Sequence, residues 1–314
     1  MVCHNCQVEA KKHGKDRKGN QRFRCEACSK TFSDRPERPL GNMYLSLEKA
    51  VDVLKLLVEG CSIRSVERIT DTNRNTIMSL LVNVGERCES LLENRIQNIA
   101  VKDVQCDEMW GFVGMKEKTK KANGRDDYAV GDAYTFVGIE RHTKLVLAWH
   151  LGRRTRPDTF AFTEKLDRAT AGSFQITTDG FKAYQDAMVH SLGAKKIDFA
   201  QYVKIYAAVR EGEQRYSPAE VVDSMKITIY GNPDPDRICT SHVERGNLTM
   251  RMHIRRLTRL TNGFSKKWEN LKAALALYFA WYNFCRVHQT LRVTPAMEAG
   301  LTNHIWSLRE LLAD

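Results

Sequence analysis

The sequence contains no apolar run that approaches the roughly 18 residues needed to cross a membrane. The residues after Met1 also lack the apolar core of a secretory signal peptide. Hydrophobic residues make up 42% of the 314-residue chain and charged residues 28%, which is typical of globular proteins with an ordinary core. We therefore expect a protein of two or three domains in the cytoplasm, with no membrane segment.

Acidic residues are scarce in relation to basic residues. The 38 Asp and Glu residues compare with 49 Lys and Arg residues, which leaves a net charge of +11 at pH 7. Only four acidic residues follow Glu244, although that part of the chain is rich in arginine. This surplus indicates a polyanionic partner, but charge alone favours a nucleic acid over an anionic membrane surface only weakly.

The cysteine pattern argues against a disulfide framework, because nine cysteines form an odd set and four of them lie within the first 28 residues. Cys3 and Cys6 form one CxxC pair, and Cys25 and Cys28 form another. This spacing predicts a structural Zn²⁺ site with four thiolate ligands. The residues between the pairs are basic and polar, so the segment needs its metal to fold.

Residues 45–99 have helical periodicity. The apolar positions predict one helix that ends at Gly60, a short helix that begins at Ser62, and a longer helix after the polar turn 70–73. Two helices joined by such a turn are typical of a helix-turn-helix, although an ordinary helical bundle with a solvated polar face remains the alternative. Four side chains at the start of the longer helix suit base edges and phosphates: Asn73, Arg74, Asn75 and Thr76.

From residue 100 the apolar period changes from that of a helix to that of a strand. A strand that contains Asp107 is followed by a cationic loop at 116–127, a hairpin over 133–151 and a helix after Pro157. A short strand at 174–178 then leads to Asp179. This order predicts an α/β layered domain with an acidic edge.

Further strands are predicted at 199–209 and 221–229, and a basic helix follows. Glu244 lies near the start of this helix, and taken alone it is a solvated ion-pairing residue. Beside Asp107 and Asp179 it becomes a third candidate ligand for Mg²⁺ or Mn²⁺, although spacing cannot join carboxylates so far apart in sequence. Glu108 follows Asp107 on a strand and is therefore expected to face the opposite side.

Several short motifs occur in a characteristic order: Asp107-Glu108-x-Trp110, Thr178-Asp179-Gly180, His242-Val243-Glu244-Arg245-x-Asn247-Leu248, Leu257-Thr258-Arg259, Phe264-Ser265-Lys266, and Tyr282-Asn283 through Thr294-Pro295. With them and the N-terminal cysteines, the chain resembles transposases of the insertion-sequence-1 family. These are DDE recombinases with an RNase H-like catalytic core. The resemblance covers nearly the whole chain.

The resemblance implies a multi-domain protein. Residues 1–40 would form a four-cysteine zinc ribbon, residues 41–99 an all-α helix-turn-helix domain, and residues 100–314 an RNase H-like α/β domain with a mixed sheet and an insertion near 195–238. Asp107, Asp179 and Glu244 would become the triad that binds two Mg²⁺ or Mn²⁺ ions. Arg251 takes the place of the basic residue that follows the glutamate in many DDE enzymes.

The implied function is DNA transposition: binding of terminal inverted repeats, 3′-end cleavage by water, and strand transfer by the freed 3′-OH. The expected partners are double-stranded DNA and a second copy of the chain, with the protein at the nucleoid of a prokaryote. Five basic residues are expected phosphate contacts, with a merely solvated face as the alternative: Arg255, Arg256, Arg259, Lys266 and Lys267. Two other functions remain open, an inactive DNA-binding regulator and a nuclease that cuts without joining.

Overall fold

The computed structural model describes residues 1–3, 5–17, 19–33, 40–41, 43–195, 197–207, 221–259 and 261–313. The chain divides into two compact units, Met1–Leu45 and Ser46–Asp314. The end of the strand predicted to reach residue 209 lies outside the described residues. None of the helices described is long and apolar enough to span a membrane.

The first unit is a small antiparallel sheet of three strands, in the order β1 (Lys11–Lys15), β2 (Gln21–Arg24) and β3 (Thr31–Ser33). Its buried core consists of Cys3, Ala10, Phe23 and Cys25. Phe32 stacks on Phe23 with ring centroids 6.0 Å apart. The unit therefore buries few apolar side chains, as its composition predicts.

The second unit begins with three helices, α1 (Leu47–Val58), α2 (Ile63–Thr70) and α3 (Arg74–Arg95). Each has a polar N-cap whose side chain accepts a backbone N–H: Ser46 from Lys49, Ser62 from Ser65, and Asn73 from Asn75. Three residues separate α2 from α3, and the first of them, Asp71, has a φ of 48°. The predicted helices and the short turn are confirmed.

The remaining elements follow in this order: β4 (Ile99–Ala100), β5 (Asp103–Val113), α4 (Glu117–Ala122), β6 (Gly131–Glu140), β7 (Val146–Gly152), α5 (Arg156–Ala169), β8 (Thr170–Ala171), β9 (Gln175–Thr178), α6 (Ala183–Leu192), β10 (Asp198–Tyr206), β11 (Val221–Tyr230), α7 (Ser241–His253), α8 (Trp268–Ala280), α9 (Pro295–Glu298) and α10 (Leu308–Ala313). Six strands form a mixed sheet in the order β11-β10-β9-β5-β6-β7. β9 runs parallel to β5 and β10, and the other pairs in this sheet are antiparallel. Mixed α/β architecture is thus confirmed.

Helices cover both faces of this sheet because side chains alternate along each strand. On β6, Phe136 packs against Phe162 of α5, with ring centroids 5.7 Å apart. The neighbouring Val137 lies on the other face, where it meets Tyr278 and Phe279 of α8 around a small cavity. Tyr278 and Phe279 of α8 are therefore core residues.

The basic helix α7 is shorter than its apolar pattern predicts. It ends at His253, Ile254 is extended, and Arg255–Leu257 forms a separate 3-10 turn. The Arg251 guanidinium donates to the Leu257 carbonyl at 2.9 Å, which holds the chain in this bend. The segment 116–127, predicted as a cationic loop, contains the six-residue helix α4.

A π-helical turn, Trp281–Cys285, follows α8 and covers part of the sheet edge. It turns the Asn283 amide towards β7, where its Oδ1 accepts from the Val146 N–H at 3.0 Å and its Nδ2 donates to the Val146 carbonyl at 3.0 Å. The amide therefore pairs with the backbone as a neighbouring strand would. This contact fixes the C-terminal segment against the six-stranded sheet.

Helices α3 and α8 pack closely at Gly85, where an added Cβ would lie 2.5 Å from the Cα of Ala273. We expect Gly85→Ala to lower the free energy of unfolding by about 1–3 kcal/mol, because the backbones must separate. Gly246→Ala is the matched control, since Gly246 is also helical and has nothing within 4 Å of the added Cβ. The control should gain up to about 1 kcal/mol from helix propensity. Urea denaturation measures both, and equal stabilities would contradict the close contact.

Candidate functional site

Two carboxylates meet where the pairing of the neighbouring parallel strands β5 and β9 ends, at the carboxyl end of β9 and the middle of β5. The last paired residues of the two strands are Cys106 and Thr178, so Asp107 and Asp179 occupy the next position on each chain. β9 ends there, and the Phe181 N–H donates to the Asp179 Oδ1 at 3.0 Å. The acids that the sequence separates by more than seventy residues are thus adjacent because of strand register.

Glu108 belongs to the same group although it faces the opposite side of β5 from Asp107, as expected. It lies across from Phe136, on the α5 side of the sheet, whereas Asp107 lies across from Val137, on the α8 side. One carboxylate oxygen from each of Asp107, Glu108 and Asp179 lies within 4.8 Å of the others. β9 stops at Thr178, so Asp179 lies just beyond the end of that strand, where carboxylates from both faces of β5 come close to it. We call these three residues the carboxylate cluster.

Arg154, which follows β7, bridges two members of this cluster. Its Nε donates to the Glu108 Oε2 at 3.1 Å, and its Nη2 donates to the Asp179 Oδ2 at 3.3 Å. The guanidinium also lies over the Phe181 ring, 4.2 Å from its centroid. Sequence analysis missed this residue, since nothing in the run Arg153-Arg154-Thr155-Arg156 distinguishes one arginine from its neighbours.

Glu244 lies in the first turn of α7 and is held by two donors. The Lys204 Nζ lies 2.5 Å and 2.6 Å from its two carboxylate oxygens, and the Thr240 hydroxyl donates to Oε1 at 2.6 Å. Glu244 is outside the group within 4.8 Å. Its charge nevertheless raises the pKa of Asp107 and that of Asp179, after the larger effect of burial on each. Glu244 therefore lies near the cluster and acts on it electrostatically.

Helix α7 is anchored to β5 by two amide side chains. The buried Gln105 Oε1 accepts the N–H groups of His242 and Val243, at 2.9 Å and 3.2 Å, and so caps the helix start. About one turn further along the helix, the Asn247 Nδ2 donates to the Asp107 Oδ2 at 2.7 Å. These contacts set the position of Glu244 relative to Asp107.

Burial and mutual repulsion disfavour the ionised forms of the clustered carboxyls. The pKa of Asp107 rises to about 7, first because of burial and then because of Asp179. The pKa of Glu108 rises to about 8 for the same two reasons. Burial also raises the pKa of Asp179. Such a group gains from a neighbouring cation, and its carboxylate oxygens are the donor type that Mg²⁺ prefers, so the residues fit a divalent metal.

Arg251 points away from the cluster in this structure. Its Nη1 donates to the Leu257 carbonyl and its Nη2 to the Trp110 carbonyl, both at 2.9 Å. Burial lowers its pKa to about 10. Its part in catalysis, implied by the resemblance, stays a prediction.

The residues predicted to contact DNA occupy two regions. At the start of α3, Asn73 is the helix cap, Arg74 and Asn75 are exposed, and Thr76 is half-buried. In the segment after α7, most of the basic residues are exposed, but Arg256 is not. Burial lowers the pKa of Arg256 to about 10, and its Nη1 donates to the Ser265 hydroxyl at 3.1 Å. The four exposed residues of this segment are Arg255, Arg259, Lys266 and Lys267.

The four predicted cysteine ligands lie together in the first unit, each with its Sγ within 4.8 Å of the others. The Sγ atoms of Cys3 and Cys28 are 3.7 Å apart, and those of Cys6 and Cys25 are 3.9 Å apart. A tetrahedral Zn²⁺ with bonds of about 2.3 Å to sulfur places its ligands about 3.8 Å apart. Backbone N–H groups lower the pKa of Cys3 to about 7, which favours a thiolate. The cysteine set therefore fits a closed structural Zn²⁺ site.

Comparisons with known proteins gave distant structural similarity only. No protein-family model matches the chain, and no curated protein matches its sequence. The chain is similar to a chain of a simian T-cell lymphotropic virus intasome in complex with PP2A regulatory subunit B56 gamma, with 12% identity, 79% of this chain and 74% of that chain covered, and a TM-score of 0.35. It is also similar to Argonaute of Aquifex aeolicus (11% identity, 68% and 34% covered, TM-score 0.26) and to endonuclease V of Bacillus subtilis (13%, 65% and 89%, 0.22).

Proposed function

We propose that this protein is a metal-dependent DDE transposase. It would bind the terminal inverted repeats of a mobile element, cut the 3′ ends by hydrolysis, and join the freed 3′-OH to target DNA. The observation that supports this proposal is the carboxylate cluster in the middle of β5 and at the end of β9, with Glu244 of α7 nearby. The net charge of +11 suits a DNA substrate.

In this proposal Asp107, Asp179 and Glu244 hold two Mg²⁺ or Mn²⁺ ions. Bound ions would supply Lewis-acid activation of a phosphodiester and of the attacking oxygen. Asn247 positions Asp107 through its hydrogen bond, and Gln105 positions α7 through the helix cap. Arg154 and Lys204 are the cations that neutralise the acids in the structure, so both would give up or share these contacts when a metal or a phosphate enters.

The roles of the N-terminal parts belong to the same proposal. The cysteine cluster would be a zinc ribbon, α2 and α3 a helix-turn-helix, and the sheet domain an RNase H-like core. α3 would present Asn73, Arg74, Asn75 and Thr76 to base edges and phosphates. The exposed residues Arg255, Arg259, Lys266 and Lys267 would contact the DNA backbone near the cluster, and two copies would join in bringing two ends together.

Incubation of the purified protein with Mg²⁺ and DNA that carries the element's terminal repeats tests this function. We expect nicks at the 3′ ends and covalent joining to a target plasmid, both abolished by EDTA. Hydrolysis products without joined DNA would favour the nuclease. Stable binding without cleavage would favour the inactive regulator. The flanking DNA is an independent check, because the proposal requires inverted repeats and a short target duplication around the gene.

A further inference from the structure

Three aromatic side chains form a continuous surface beside the carboxylate cluster. Trp110 and Phe112 share a face of β5 with Glu108, because alternate residues of a strand point the same way. The ring centroids of Trp110 and Phe112 are 5.8 Å apart, and those of Phe112 and Phe264 are 4.7 Å apart. All three rings are half-buried and so reach the solvent. We call Trp110, Phe112 and Phe264 the aromatic strip.

The backbone holds this strip in place. The Gly114 N–H donates to the Ser265 carbonyl at 2.8 Å, and Val113 forms a parallel bridge with Ser265. These contacts attach the segment of Phe264 to the end of β5. The rings therefore rest on the sheet and do not depend on a loose loop for their arrangement.

Two exposed lysines flank the strip and lie over its rings. The Lys116 Nζ is 5.6 Å from the Trp110 ring centroid, and the Lys266 Nζ is 3.9 Å from that of Phe264. Within the described part of the chain, the structure gives both ammonium groups ring contacts and no carboxylate partner. Their charges are thus available to a polyanion that crosses the strip.

We propose that the aromatic strip binds unpaired bases of the DNA strand whose phosphate lies at the carboxylate cluster. This inference rests on the proposed function and names the form of DNA that the site takes. Trp110 is two residues from Glu108, a step of about 7 Å along the strand, so a base stacked there belongs to a nucleotide close to the cut. Lys116 and Lys266 hold the phosphates on either side.

Single-stranded DNA fits this surface better than a duplex does. A duplex hides its base faces by stacking them on one another, whereas an unpaired base offers a free face to an aromatic ring. Aromatic rings interleaved with cations are the usual surface of proteins that bind single strands. The strip therefore favours ends that are opened or frayed next to the site of cleavage.

The test compares binding of a fluorescent oligothymidylate to the full-length wild-type protein and to Trp110→Ala, by anisotropy in buffer that contains no Mg²⁺ and no chelator, so that the zinc is retained. We expect the variant to bind about tenfold or more weakly, the scale of one lost base–aromatic stack, while Trp110→Phe keeps most of the affinity. Binding to a terminal-repeat duplex should not change. Tyr206→Ala is the matched control, because Tyr206 is exposed on β10, which β9 separates from β5.

Equal affinity of Trp110→Ala and wild type for the single strand would overturn the proposal. A second measurement needs no variant: 2-aminopurine placed at the terminal unpaired nucleotide should lose fluorescence when the wild-type protein stacks on it. Unchanged 2-aminopurine emission in the bound state would also overturn the proposal. Neither measurement depends on cleavage. A failure of the aromatic strip to bind single-stranded DNA can therefore be distinguished from a failure of the protein to act as a transposase.

Discussion

The Asp179→Asn variant is expected to lose at least about a thousandfold in the rate of Mg²⁺-dependent cleavage, because a bound metal supplies several kcal/mol of transition-state stabilisation. Asparagine has the size of aspartate and keeps an oxygen for the Phe181 N–H, which lies 3.0 Å from the Asp179 Oδ1. It lacks the negative charge that holds a cation beside Asp107. Single-turnover cleavage of end DNA measures the effect.

The fold and the DNA affinity of this variant should remain. Burial raises the pKa of Asp179. At a pH above that pKa the ionised carboxylate lowers the stability of the folded protein, and a neutral amide at this position does not. Asp186→Asn is the matched control: it makes the same change at an exposed residue of α6 that pairs with Arg156. We expect wild-type cleavage from the control. Wild-type cleavage by Asp179→Asn would exclude Asp179 from the metal site.

Removal of zinc should unfold the first unit and leave the second folded. Binding of structural zinc to small domains contributes about 10–16 kcal/mol. Among the described residues of this unit, the buried core cluster is small: Cys3, Ala10, Phe23 and Cys25. Two of these four residues are candidate ligands, so little remains without the metal. Limited proteolysis after chelation should cut within residues 1–45. All five tryptophans lie in the second unit, and their emission should stay unchanged.

Two cysteine variants make this prediction specific. Cys25→Ser should release zinc and expose the first unit to protease in the same way as chelation. Cys61→Ser changes a half-buried cysteine outside the cluster and should keep both the zinc and the protease pattern. Specific binding of end DNA should fall with Cys25→Ser alone. If chelation leaves the protease pattern unchanged, the four cysteines do not bind a metal that stabilises the first unit.

Local patterns in the sequence predicted most of the elements. The alternation at 133–151 and the short apolar run at 174–178 correspond to β6, β7 and β9, because the period of a strand and the residues of its turns are local properties. The cysteine cluster was predictable for the same reason, since each CxxC turn carries two ligands to one place. Ser62 and the polar turn 70–73 marked the starts of α2 and α3 within one residue.

The composition of the carboxylate cluster could not be read in the same way. Glu108 joins it from the other face of β5, because Asp179 lies just beyond the end of the four-residue strand β9 and is close to both acids, which no residue near Glu108 reveals. Lys204 reaches Glu244 because β10 is the neighbour of β9 in the sheet, which is a matter of strand order. Ion pairs of this kind depend on which strands are neighbours in the sheet. The periodicity of the sequence indicates only which face of a strand or helix a residue occupies.

The close contact at Gly85 fixes α3 rigidly to α8, which packs on the sheet. α3 has 22 residues and is about 33 Å long, a length comparable to one turn of B-form DNA. Its first turn carries the proposed recognition residues, and its middle is fixed against α8 at Ala273. In the proposed function the helix would therefore act as a rigid spacer. The number of base pairs between the recognised sequence and the cut would be set by the protein's own dimensions, and insertions in the DNA would not be tolerated.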